Sequence, residues 1–169
     1  MTADIYLSIG SNIADRAENI ISALSFLQST GFIEIKQISS FYETSPVGPK
    51  QRNFYNIVLK AQTGLNPKDL LAVIKQAEMI LGRKPSKRWS ARLIDIDILL
   101  YGNSTFHFPN STLPLKIPHK ELCNRLFVLI PLCEIAQNLK PPVFNRKIKQ
   151  ILDKALLTHK GQKVKIVQL

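Results

Sequence analysis

With 169 residues, 45% of them hydrophobic and 21% charged, the chain has the size and composition of one soluble globular domain that buries a core without disulfides or metal staples. No apolar run is long enough to span a membrane, and Met1-Thr-Ala-Asp-Ile-Tyr-Leu runs into a strand pattern with no basic leader or cleavage site, which predicts a cytoplasmic protein. The formal charge is +11, yet residues 1–60 hold five basic and five acidic side chains, so the excess lies wholly downstream and marks a partner rich in negative charge, either nucleic acid or a nucleotide phosphate chain.

Ile5-Tyr-Leu-Ser-Ile9 reads as a first strand, stopped by the turn signal Gly10-Ser11-Asn12. A helix is expected from about Asp15, with Ile20, Ile21, Leu24 and Leu27 on one stripe and Gly31 as its stop. Residues 32–41 alternate as a strand until Thr44-Ser-Pro-Val-Gly-Pro49 breaks it, and 53–61 return as another. Asn66-Pro67 supplies an N-cap and a first-turn proline for a second helix, whose Leu70, Ile74, Ala77 and Leu81 keep helical spacing to Gly82. A basic loop then enters a strand over 92–101, and 102–118, rich in Pro, Asn, Ser and Thr, holds at most a short hairpin. Helices near 126–137 and 146–157 and a strand over 164–167 complete the chain.

The order β-α-β-β-α-β predicts an α+β fold of the ferredoxin-like kind, with helices packed mainly on one face of an antiparallel sheet and C-terminal helices and a strand appended. Residues 1–169 read as a single domain. Cys123 and Cys133 lie in apolar helical surroundings without Cys-x-x-Cys spacing, so buried thiols are expected rather than a disulfide or zinc site.

The chemistry concentrates around Arg92-Leu-Ile-Asp95-Ile-Asp97. Aspartate suits strands poorly, so two of them in so apolar a strand call for a reason. Residues two apart in a strand share a face and lie about 7 Å apart, which aims both carboxylates one way while Ile94, Ile96 and Ile98 enter the core. Hard oxygen ligands at that spacing suit one or two magnesium ions that complete their shells with water and phosphate. An acidic decoration on an exposed strand face fits an isolated Asp-x-Asp equally well. The preceding Arg83-Lys-Pro-Ser-Lys87-Arg88-Trp89-Ser-Ala-Arg92 favours the metal reading, because carboxylates beside cations are the parts of a phosphoryl-transfer site. Phe54 and Asn56 share a strand face, where a ring and an amide can stack on and read a flat heterocycle, or serve as core and structural residues. His119 after Pro118, with Arg125, Phe127 and Pro131, forms a further group. The C-terminal basic set, from Arg146 to Lys165, reads as a solvated face.

Taken together, Ile9-Gly-Ser-Asn12, Ser40-Phe-Tyr-x-Thr44-x-Pro46-x-Gly-Pro49, Phe54-x-Asn56, Glu78-x-x-Leu-Gly-Arg83, Arg88-Trp89-x-x-Arg92-x-x-Asp-x-Asp97, Pro118-His119 and Asn124-Arg-x-Phe127-x-Leu-x-Pro-Leu132 resemble the 6-hydroxymethyl-7,8-dihydropterin pyrophosphokinases of folate biosynthesis. The resemblance spans nearly the whole chain. It implies a ferredoxin-like fold and transfer of diphosphate from ATP to the pterin hydroxymethyl group, with release of AMP. It also implies that Asp95 and Asp97 hold two Mg2+ ions, that Phe54 and Phe127 sandwich the pterin, that Asn56 reads its edge, and that Thr44 and Val47 complete that pocket. Glu78, Arg88, Trp89, His119 and Arg125 are implied on the ATP side, and Arg83 and Arg92 at the phosphates. ATP bound before the pterin is the order the resemblance suggests. The partners are then two small molecules, with no nucleic acid and no membrane. A monomer is expected, and the start at Met1 and the end just past the last strand suggest a stand-alone enzyme.

Three positions depart from the family pattern: Ser90-Ala91 in place of Gly-Pro, Pro85 in place of a second arginine, and Lys120 in place of an aromatic residue or proline. Lys84 and Lys87 are the cations near enough in sequence to replace the arginine. A nucleic-acid-binding module is the competing class, but paired aspartates beside its stacking residues would repel phosphate. A metal-dependent nucleotidyl transferase or cyclase uses the carboxylates and leaves Phe54-x-Asn56 unexplained.

Overall fold

A computed structural model of the chain describes residues 2–84, 90–159 and 161–169. The elements run β1 (Ala3–Ser11), α1 (Arg16–Ser29), β2 (Ile33–Ile38), β3 (Phe41–Thr44), β4 (Phe54–Thr63), α2 (Pro67–Ile80), β5 (Asp95–Tyr101), β6 (Phe106–Phe108), β7 (Leu115–Ile117), α3 (Leu126–Ala136), α4 (Ile148–Thr158) and β8 (Val164–Val167). The antiparallel sheet has the order β5-β1-β4-β3-β8, with β2 also paired to β4. β6 and β7 form the short hairpin expected within 102–118.

Local chemistry sets the helix ends. Asp15 accepts the backbone N–H groups of Ala17 and Glu18 at the start of α1, and Asn66 accepts those of Lys68 and Asp69 before Pro67 opens α2. After α2, Gly82 takes a φ of 90°, and the next N–H, from Arg83, turns back to the Glu78 carbonyl at 2.9 Å. Only glycine adopts that conformation without strain, and the bond is the wide turn of a Schellman motif.

Two sequence expectations change. Gly10 and Ser11, read as a turn, continue the β1 ladder, with Gly10 opposite Asn56 and Ser11 opposite Tyr55. The strand expected over 32–41 is two strands, because the Ser39 backbone and hydroxyl both bond Val58 while the Ser40 N–H turns away to the Glu134 carboxylate. β4 is long enough to pair with β2 along one half and β3 along the other.

One face of the sheet carries Ile5, Leu7, Ile9, Ile57 and Leu59 against α1 and α2, all fully buried. Each such aliphatic side chain contributes roughly 1.5–3 kcal/mol on leaving water. The other face is divided. Tyr6, Val58, Leu99 and Leu100 pack under α3 and α4, so the appended helices cover the face that the ferredoxin-like core leaves bare. The rest of that face, around Ser8, Gly10 and Asn56, opens into a cleft.

Candidate active site

A cleft of about 500 Å3 lies on the uncovered half of the sheet. β1 pairing places Asp97 opposite Ser8 and Asp95 opposite Gly10, and Gly10 in turn faces Asn56 on β4. Both carboxylates therefore point into the cleft while Ile94, Ile96 and Ile98 are buried on the far side, as alternation requires. A bulge ends this alternation: Ile98 faces Leu7 and Leu100 faces Tyr6, so Leu99 is the extra residue and both leucines turn to the α3 and α4 side.

One end of the cleft is built from ion pairs. Asp95 receives Arg83 Nη1 on Oδ1 at 2.8 Å and Arg92 Nη1 on Oδ2 at 2.5 Å. Asp97 Oδ2 lies 3.7 Å from Arg125 Nη1, a looser contact. Glu78 does not line the cleft. Its side chain is 3% exposed, behind β5, where Oε1 accepts the Ile96 N–H at 2.7 Å and also bonds Arg83, while Oε2 pairs with Lys75. Glu78, expected on the ATP side, here serves the sheet: an edge strand needs an acceptor for its outward N–H, and Glu78 supplies it. Through Arg83 it also reaches Asp95.

The opposite end is neutral. The Asn56 amide donates to Thr44 Oγ1 at 2.7 Å, and both groups are buried. Gly10 makes this possible, since a Cβ there would stand 2.6 Å from Asn56 Oδ1. Phe54, Val47 and Phe127 line the same end, with Arg125 5.5 Å from the Phe127 ring centroid. Between the two ends His119 accepts the Glu121 N–H on Nδ1, which leaves Nε2 as the protonated nitrogen of the neutral ring. Burial lowers its pKa, which favours that neutral form.

Residues 6–137 match the family model described as 7,8-dihydro-6-hydroxymethylpterin-pyrophosphokinase. The chain belongs to this family. It is 42% identical over 149 residues to the 2-amino-4-hydroxy-6-hydroxymethyldihydropteridine pyrophosphokinase of Aquifex aeolicus, covering 88% of this chain and 89% of that one. Over 136 residues it is 39% identical to the Bacillus subtilis protein of the same name, covering 80% of this chain and 79% of the other. It is also 46% identical to the bifunctional protein FolKE of Lactococcus lactis over 79% of its own length, though it spans only 37% of that protein. Among solved structures, wild-type Plasmodium falciparum HPPK-DHPS with pteroate superposes with a TM-score of 0.79 over 95% of this chain and 45% of that one. At 18% identity that likeness establishes the fold.

Within the pyrophosphokinase framework, the structure brings Thr44, Val47, Phe54, Asn56, Arg92, Asp95, Asp97, His119, Arg125 and Phe127 to one cleft, with Arg83 touching Asp95 from its edge. Arg88 and Trp89, and with them Pro85 and Lys87, lie outside the described residues. Two further residues had no predicted role. Asn12 is buried and ties three segments together: its side chain donates to Gln51 and the Arg52 carbonyl and accepts the Arg92 N–H at 2.7 Å, while its own N–H bonds the Arg92 carbonyl. That clasp fixes the backbone of Arg92 before β5 begins. Gln162, from the C-terminal segment, also lines the cleft. The motif Ile9-Gly-Ser-Asn12 flagged the first residue; no local pattern flagged the second.

Proposed function

We propose that this chain transfers the terminal diphosphate of ATP to the hydroxymethyl group of 6-hydroxymethyl-7,8-dihydropterin and releases AMP, a step of folate biosynthesis. The observation that carries the reading is a single cleft with paired carboxylates and arginines at one end and a neutral aromatic and amide wall at the other. In this reading it works as one pyrophosphokinase domain over 1–169, as a monomer in the cytoplasm. No helix among the described residues is long and apolar enough to cross a membrane.

The residues suit magnesium. Such ions take one or two carboxylates and complete an octahedron with water and phosphate oxygens, a donor set that Asp95 and Asp97, both lining the cleft, supply. Bound to Asp95 and Asp97, two magnesium ions would neutralise the triphosphate and hold it in line for attack.

Phe54 and Phe127 stack on the pterin from either side, and Asn56, held by Thr44, reads its polar edge. This holds the hydroxymethyl oxygen toward the β-phosphorus. As the new P–O bond forms, the bond from that phosphorus to the oxygen bridging the α-phosphate breaks; AMP departs with the electron pair and the hydroxyl proton passes to solvent. Arg92 and Arg83, which pair with Asp95, are placed to follow the charge on the transferred group, and Arg125 and the Nε2–H of His119 donate toward the nucleotide phosphates. Arg88 and Trp89 are assigned to the nucleotide side by family pattern alone. The assay is direct: protein, ATP, magnesium and the reduced pterin are expected to give AMP in a pterin-dependent way. ADP formation, or AMP formation indifferent to the pterin, would sink the reading.

A further inference from the structure

The family match ends at residue 137, yet the cleft does not. In the turn between α4 and β8, Gln162 sends its amide across to the first turn of α3. Oε1 accepts the Leu126 N–H at 3.0 Å, and Nε2 donates to the Asn124 carbonyl at 3.3 Å. α3 has no capping side chain of its own, because Arg125 at the N-cap position makes no such bond. Gln162 is therefore the remote cap of the helix that presents Arg125 and Phe127 to the cleft.

The next residue reaches the opposite wall. Ser45 donates its N–H to the Lys163 carbonyl at 3.0 Å, and Lys163 returns its N–H to Ser45 Oγ at 3.1 Å. From there β8 zips onto β3, with Val164 opposite Thr44, the partner of Asn56. One continuous segment thus spans from the Phe127 side of the neutral end to the Thr44 side. Its bonds across the cleft fall at that end, and among the described residues none goes to Asp95, Asp97, Arg83 or Arg92.

We infer that Gln162 is a positioning residue for the pterin half of the site: it sets the spacing between the Phe127 wall and the Thr44 wall, and so governs pterin affinity more than ATP affinity, to which Arg125 on the same helix is one of several contributors. The inference rests on the proposed diphosphate transfer. It predicts a split in the kinetics that a merely structural residue would not produce.

The test is steady-state AMP formation by full-length Gln162→Ala and Gln162→Glu, with each substrate varied against a saturating level of the other. Gln162→Ala is expected to raise the pterin KM about tenfold, the scale of a lost helix cap, while kcat stays within about twofold and the ATP KM, which feels the change only through Arg125, rises no more than about threefold. Gln162→Glu keeps an acceptor for the Leu126 N–H, at a helix start where negative charge is favoured, and is expected to hold the pterin KM within about threefold of the parent. If the alanine variant does not fold, Gln162→Leu preserves the volume, removes both bonds and carries the same expectation. An unchanged pterin KM, or equal rises in both KM values, would overturn the inference. Failure of the unmodified chain to form AMP is a different result, which removes the proposed function and this inference with it.

Discussion

At the Asn56 end of the cleft the polar groups are neutral and satisfy one another: the Asn56 amide bonds Thr44, lies over Gly10, and rests on strands fixed by full ladders on both sides. At the Asp95 end the groups are charged. Both Asp95 oxygens are held by guanidinium groups, from the turn after α2 and from the segment before β5, on the edge strand of the sheet. On the proposed function, a flat, neutral heterocycle would enter the first end by adding hydrogen bonds and stacking, with little to displace. A metal and a triphosphate would enter the second only by exchanging ion pairs, which partly exposed charges do at modest cost. Asp97, whose one ion pair among the described residues is the 3.7 Å contact to Arg125, is the more available carboxylate. On the proposed function, the difference teaches that recognition and chemistry are separable: the neutral end would choose the acceptor and the charged end would move the phosphate.

Substitutions that confine damage to one end sharpen this division, and those that leak across it break it. The largest effect is expected from Asp97→Ala, with turnover reduced by at least about a hundredfold and the thermal unfolding midpoint unchanged; near-normal turnover would contradict its place at the metal. Arg92→Ala is expected to lower kcat by about tenfold to a hundredfold with the pterin KM preserved, because Asn12 holds the Arg92 backbone whatever its side chain. A pure loss of pterin affinity would blur the two ends.

Gly10→Ala tests the neutral end. Its Cβ would displace the Asn56 amide, so the pterin KM is expected to rise about tenfold with the ATP KM unaffected. In an Asn56→Ala background the same change is expected to cost little, and additive losses in that double-mutant cycle would rule out the steric account.

The smallest effect lies where α3 meets β3. Tyr42 donates to Glu134 at 2.9 Å, and burial, then that bond, raises its pKa from 10.0 to about 12. The folded state thus holds this proton more tightly than the unfolded chain, so the associated stability is fully present below pH 10 and is lost as pH rises toward 12. Tyr42→Phe is expected to lower stability by about 1 kcal/mol at neutral pH and to flatten the fall above pH 10, as read from urea midpoints across that range. An unchanged fall would place the titration elsewhere.

The sequence made the short-range features legible. Asn66-Pro67 marked the start of α2, the alternation around Asp95 and Asp97 marked which way they point, and β8 lies where its pattern put it. What stayed hidden was long-range. Glu78 meets Ile96 across 18 residues, Asn12 meets Arg92 across 80, and Glu134 reaches Ser40 across 94. Spacing within one element carries no information about such partners. Gly10 shows the same limit in reverse: a residue type that signals a turn locally was needed inside a strand, because a side chain from the neighbouring strand occupies its missing Cβ. Resemblance to a family named most of the cleft, but it gave no sign that Glu78 would hold the Ile96 N–H behind β5.

The central claim, that a diphosphate rather than a single phosphoryl group crosses this cleft, is tested most directly with ATP labelled at the β-phosphorus in a single turnover with magnesium and the reduced pterin. The account predicts that the label leaves with the pterin and that the AMP formed is unlabelled. Label retained in ADP, with only the γ-phosphoryl group transferred, would contradict it.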